Sequence, residues 1–164
     1  MYIVSMILLL VISIPIYLCL KSLFEYKHPQ KVYMIIKDTF TRVIKRHKLT
    51  ISEINLFGNR IIAVDRKINK LVLIHYKHGI AWRKCINLHD IISCRIATIT
   101  HKVSGKIQKV NLKLTFRKGG IITFPFFDDE VDVKRDPSMR IKTALYWVGK
   151  IQYKKKTVQL ANVN

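Results

Sequence analysis

The spacing of apolar positions changes twice along this chain, and each change marks a different kind of element. Residues 1–20, MYIVSMILLLVISIPIYLCL, hold no charged side chain. Twenty helical residues at about 1.5 Å each cover about 30 Å, the hydrocarbon thickness of a bilayer. An uncleaved transmembrane helix is predicted, in which Pro15 is tolerated as a kink. A cleaved secretory signal needs a basic start, a shorter apolar run and small residues before the cut. Met1-Tyr2-Ile3 and Ile16-Tyr17-Leu18 supply none of these, and Leu18 before Cys19 is too bulky for lipoprotein processing.

Beyond the anchor, Val32, Ile35, Ile36, Phe40, Val43 and Ile44 recur at steps of three and four, with Lys31, Lys37, Arg42, Lys45 and Arg46 on the other side. That spacing predicts a basic amphipathic helix within residues 21–48, opened by the break at His28-Pro29. Its apolar stripe is broad enough to dock on the domain's own core. The rival arrangement is a helix lying in the membrane interface.

From about residue 50 the period falls to two. Arg60 to Asp65, Leu71 to Tyr76, Trp82 to Leu88, Ile91 to Ile99, the run around Val110 to Phe116, and Ile121 to Phe127 read as strands. Turns are expected at Phe57-Gly58-Asn59, at Asp65 to Lys70, at His89-Asp90, at Lys102 to Lys106 around Gly105 and at Lys118-Gly119-Gly120, and Pro125 suggests an edge strand or a bulge. In the fifth run Ile92, Cys94 and Ile96 are expected to share a face. Asp136-Pro137 is a helix-start signal, followed by an apolar face of Ile141, Ala144, Leu145, Val148 and Ile151 with Trp147 at its margin. The expected class is α+β: the anchor (1–20), a basic juxtamembrane helix (21–48), and a small antiparallel barrel or bent sheet of six or seven strands capped by a helix (50–153). A loose basic tail (154–164) closes the chain.

Charge adds an orientation and a list of partners. Eight basic residues between Lys21 and Lys48 face only Glu25 and Asp38, which predicts that the bulk lies on the cytoplasmic side of the inner membrane. Net charge is +20, and Asp128, Asp129, Glu130, Asp132 and Asp136 are half of the ten acidic residues. Such a field attracts anionic lipid head groups, nucleic acid or acidic protein surfaces. Compositional bias toward Lys is the rival explanation of the charge. Cys85 and Cys94 lack a C-x-x-C spacing, which suits a reducing compartment.

RIIAVDRKINKLVLI, CINLHDIISCRI, VNLKLTF, GGIITFPF and the ALYWVGKI helix together resemble bacterial pleckstrin-homology-like (PH-like) domains over residues 50–153. The matching positions are Asp65, the turn from Arg66 to Lys70, and Leu88-His89-Asp90-Ile91. The resemblance implies a binding module for lipids, peptides or proteins rather than an enzyme, with no cofactor. It also directs attention to Arg66, Lys67 and Lys70, since eukaryotic relatives bind phosphoinositides through a basic cluster in the first hairpin.

Catalytic motifs are not found: neither G-x-S-x-G, G-x-G-x-x-G, a Walker loop nor H-E-x-x-H occurs. His75 and His78 point to opposite faces of a strand, which counts against a metal site with His89. The acidic run lacks the glycine and spacing of a calcium loop, and an answer to the basic body is the simpler expectation. Cys94 near His89 and Asp90 reads as a small buried residue rather than a nucleophile. Three functions stay open: an adaptor binding a membrane protein or membrane-associated complex, a sensor of anionic lipid, and a membrane-tethered nucleic-acid binder. Most aromatics that could stack bases fall on core faces, which places the last lowest. The candidate binding residues are Arg66, Lys67 and Lys70 with Lys31, Lys37, Arg42, Lys45 and Arg46.

Overall fold

Four antiparallel strands form one sheet: β1 (Glu53–Phe57), β2 (Arg60–Asp65), β3 (Lys70–Lys77) and β4 (Ile80–Asn87), paired in that order. Three more form a second: β5 (Ile91–Thr100), β6 (Ile107–Phe116) and β7 (Ile121–Asp128). Helix α1 (30–47) precedes the strands, a single 3-10 turn (Leu88–Asp90) joins the sheets, and α2 (Pro137–Ala161) follows them. This computed structural model describes residues 30–132 and 136–161, with side chains to residue 152. The predicted anchor therefore lies outside the described residues. Among those described, no helix is long and apolar enough to cross a membrane.

Strand β2, RIIAVD, is buried at every position, and the reason is that both faces of the first sheet are covered. Ile62, Val64, Leu71, Leu73 and Ile86 point inward, where they meet Cys94, Val110, Leu112, Leu114, Phe124, Phe126 and Phe127 of the second sheet and Ala144, Trp147 and Ile151 of α2. Their neighbours Ile61, Ala63, Val72 and Ile74 point outward and meet Ile36 and Val43 of α1. A strand covered on both faces reads as a continuous apolar run, which is the pattern seen. Docking of α1 on the domain's own core thus prevails over an interfacial position for its apolar stripe.

A Schellman motif ends α1. The amide of Leu49 donates to the Ile44 carbonyl (3.0 Å) and that of Lys48 to Lys45 (3.3 Å), while Lys48 takes the left-handed conformation (φ 49°). Leu49 is thereby turned into the α1 core.

Two local readings are corrected. A register shift between Ile91 and Ser93 resets the faces of β5, so Ile91 and Cys94 are buried while Ile92 is exposed. On α2, Trp147 is central rather than marginal and Leu145 turns outward (1% and 57% exposed). Ala144, Trp147 and Ile151 follow the helical three-and-four spacing, and Leu145 stands about 100° away from Ala144. Pro125 meets both of its expectations: β7 is an edge strand, and its register shifts beside that residue. Asp136 caps α2, its carboxylate accepting from the Ser138 amide (2.9 Å). The helix backbone continues to Ala161, through residues assigned from sequence to the tail.

Candidate functional site

Asp65 shows how the sequence builds the region around the candidate residues. Its carboxylate accepts the amides of Lys67 (2.8 Å) and Ile68 (3.2 Å), which folds the chain after β2, and the amide of Thr50 (2.6 Å), which ties the end of α1 to the same place. Burial raises its pKa, but the amides of Thr50, Ile68 and Lys67 outweigh burial and hold it below the ordinary 3.8. Lys45 and Arg46 at the end of α1 and the turn with Arg66 and Lys67 therefore share one end of the first sheet. Lys31 starts the same helix about 20 Å away along its axis. Lys31, Lys37, Arg42, Lys45 and Arg46 are all exposed, with Arg42 paired to Asp38 (2.8 Å).

The basic turn is the second hairpin of its sheet, not the first. The first turns at Gly58-Asn59, at the opposite end of β2. Comparison with the phosphoinositide-binding hairpin thus falls on a turn whose one basic neighbour, Arg60, is fully buried. Arg60 donates to both carboxylate oxygens of Asp132 (3.0 and 2.8 Å), and Asp132 also accepts the Asp128 amide (3.0 Å). Asp128 receives Lys77 at 3.2 Å and Lys109 at 3.6 Å. The acidic run answers basic residues of its own chain.

Of the candidates, Arg66 lines a groove. A groove of about 560 Å³ runs between α2, the end of β2 and the 3-10 turn, lined by Val64, Arg66, Leu88, Leu145, Trp147 and Ile151 with Tyr146, Gly149 and Lys150. Its walls are mainly apolar. Its two charged lining residues are cations, both held by Glu53 of β1: Arg66 at 2.7 Å and Lys150 at 3.5 Å. The Tyr146 hydroxyl donates to the other Glu53 oxygen. Burial raises the Glu53 pKa, and the bonds from Tyr146, Arg66 and Lys150 carry it below the ordinary 4.5. Lys150 is raised above its ordinary 10.5 first by Tyr146 and then by Glu53, and its ammonium also lies 4.9 Å from the Tyr146 ring centroid. The indole N–H of Trp147, buried in the groove wall, has no acceptor among the described residues.

Comparison with known proteins returns nothing. No family model, curated protein or solved structure matches the chain.

Away from the groove, burial also shifts the titration of cysteines and a histidine. Cys94 is buried on the inner face, where desolvation pushes its thiol up to about 12, and Cys85 is also raised by burial. Burial first, then Arg60 and Lys77, lowers His75 to about 4, and its ring packs 5.2 Å from Trp82. No group of three His, Cys, Asp or Glu side chains suited to a metal ion occurs among the described residues.

Sequence reasoning named Arg66 as a candidate and did not name Glu53, Leu145, Tyr146 or Lys150 as candidate binding residues. Tyr146 and Lys150 sit four residues apart and hence on one helix face, a signal that was present. Nothing in the sequence links Glu53 to a helix ninety residues later.

Proposed function

We propose that this protein is a membrane-anchored, non-catalytic adaptor whose PH-like domain binds a protein partner at the cytoplasmic face of the membrane. Residues 1–20 supply the anchor in this reading, and the basic residues that follow keep the domain on the cytoplasmic side. The arrangement of four and three antiparallel strands with a C-terminal helix on them is compatible with the PH-like resemblance.

The observation that carries the reading is the groove beside α2. Its lining offers apolar surface and two fixed cations, which are means of recognition. Exposed Leu145 and Tyr146 extend that apolar surface outward. Concave apolar walls with a few placed polar groups are the usual make-up of a binding site. The test is mild solubilisation of the full chain from membranes, followed by purification. A defined stoichiometric partner, lost with Lys150→Glu, is the expected result; recovery of the chain alone under several gentle conditions would refute the adaptor.

One observation favours a second reading. Lys31, Arg42 and Lys45 lie on the side of α1 opposite Ile36 and Val43, close in sequence to the anchor. Cations near an anionic leaflet contribute about 1 kcal/mol each, so this face supports lipid contact. Charge reversal of Lys31, Lys45 and Arg46 should then lower sedimentation of a fragment from Pro29 to Asn164 with anionic vesicles, and unchanged sedimentation would remove α1 from lipid binding.

A further inference from the structure

Glu53 occupies the position a ligand's carboxylate would take. It draws Arg66 and Lys150 together across the groove's edge, with Tyr146 on its other oxygen. The Arg66–Glu53 pair is accessible to water, with side chains 48% and 22% exposed. Water reaches the pair and screens it, so an incoming carboxylate can compete with Glu53 for the two cations. Beneath it lie Val64, Leu88, Leu145, Trp147 and Ile151.

Resting on the adaptor reading, we propose that the groove receives an acidic, amphipathic segment of the partner protein. In the complex the segment's carboxylate displaces Glu53 from Arg66 and Lys150 while its bulky apolar side chains pack on Leu88, Leu145 and Trp147. Charge decides among the possible occupants. A second copy of this chain would bring its own net charge of +20 to a groove whose lining charges are both positive. The chain's own C-terminal residues include Lys154-Lys155-Lys156 and suit the groove no better. An acidic segment matches both the local cations and the field that steers it in. Trp147 lines the same groove, which places an intrinsic reporter beside the bound segment.

The test is a selection of random displayed peptides on the full chain in detergent micelles, followed by titration of the enriched peptides. Trp147 fluorescence is read in a Trp82→Phe background. Enriched sequences should pair a carboxylate with bulky apolar residues and shift the Trp147 emission. Their affinity should fall about tenfold or more with Lys150→Glu and rise with Glu53→Gln, as expected when a close charge pair is reversed or a competitor removed. Leu145→Ala, at an exposed position outside the buried core, should also weaken binding. Enrichment of peptides without acidic residues overturns the proposal, as does binding indifferent to both Lys150→Glu and Leu145→Ala. So does displacement of every enriched peptide by anionic vesicles with no peptide effect on Trp147, which would make the groove a lipid site. The two readings fail separately: a partner that copurifies equally well with Lys150→Glu sinks the groove assignment and leaves the adaptor standing, whereas a chain recovered alone sinks the adaptor.

Discussion

Strand β2 opens on one arginine and is followed directly by another, and the two are handled in opposite ways. Arg60 and Asp132 are 2% and 3% exposed and joined by two hydrogen bonds. Arg66 and Glu53, about 20 Å away by strand geometry, meet in partial contact with water at the mouth of a groove. Removing one member of a buried pair strands the other charge, whereas an exposed pair exchanges with solvent and ligands at small cost. The same two chemical groups therefore serve as a lock at one end of the domain and as an exchangeable contact at the other.

The largest expected effect tests the locked end. Asp132→Asn removes the negative charge paired with buried Arg60 and one of the two oxygens that serve Arg60 and the Asp128 amide. A loss of about 3 kcal/mol or more in urea unfolding is expected. A loss under about 1 kcal/mol would mean that water reaches Arg60 and that the two ends are alike.

Acid sharpens the contrast. His75 stands opposite Arg60 in the pairing of β2 with β3. Its pKa of about 4 in the folded chain lies below the ordinary 6.5. The group is depressed on folding, so its contribution is intact above about pH 6.5 and is lost as pH falls toward 4. On the order of 2 kcal/mol should disappear over that window, allowing for the ring's partial contact with solvent. His75→Phe should flatten the curve between those limits. Asp65, Asp128 and Glu53 are also held below their ordinary values, so their stabilisation is present at neutral pH and is lost in a further step as pH falls below about 4. For Asp128, burial opposes the lowering and Lys77 and Lys109 prevail.

At the groove end, Lys48→Gly should stabilise the protein by about 1 kcal/mol. Lys48 holds a left-handed conformation that costs side-chain-bearing residues about that much, and glycine adopts it freely. A destabilised variant would show that the Lys48 side chain itself has a role where α1 meets the sheet.

The strand framework was legible because its covered faces left strong marks. RIIAVD and LVLIHY are continuous apolar runs because α1 covers one side and the second sheet the other, and alternation in VNLKLTF reports a sheet with one wet face. What escaped was whatever depended on irregular backbone or distant contact. The bulge at Ile92 reset a face that simple alternation had assigned. Helical spacing placed Leu145 on the apolar side of α2 because it is apolar, although the sheet covers only the stripe through Ala144, Trp147 and Ile151. Arg66 was named for its charge and turn, while the groove that gives it company depends on Glu53 and Lys150, brought together only by the fold.

Glu53→Gln carries the smallest expected effect and divides the two ends most directly. Glutamine keeps an acceptor for Tyr146 and removes only the charge that Arg66 and Lys150 share. Both cations are substantially exposed, at 48% and 36%, so water takes over their solvation when the carboxylate goes. The change in unfolding free energy should stay under about 1 kcal/mol. If Glu53→Gln instead costs as much as Asp132→Asn, Glu53 is a second structural lock, its exchange with a partner's carboxylate becomes too expensive, and the difference between the two ends of β2 collapses. A small cost keeps the cations available, because a charge held weakly by its own chain is one that another chain can take.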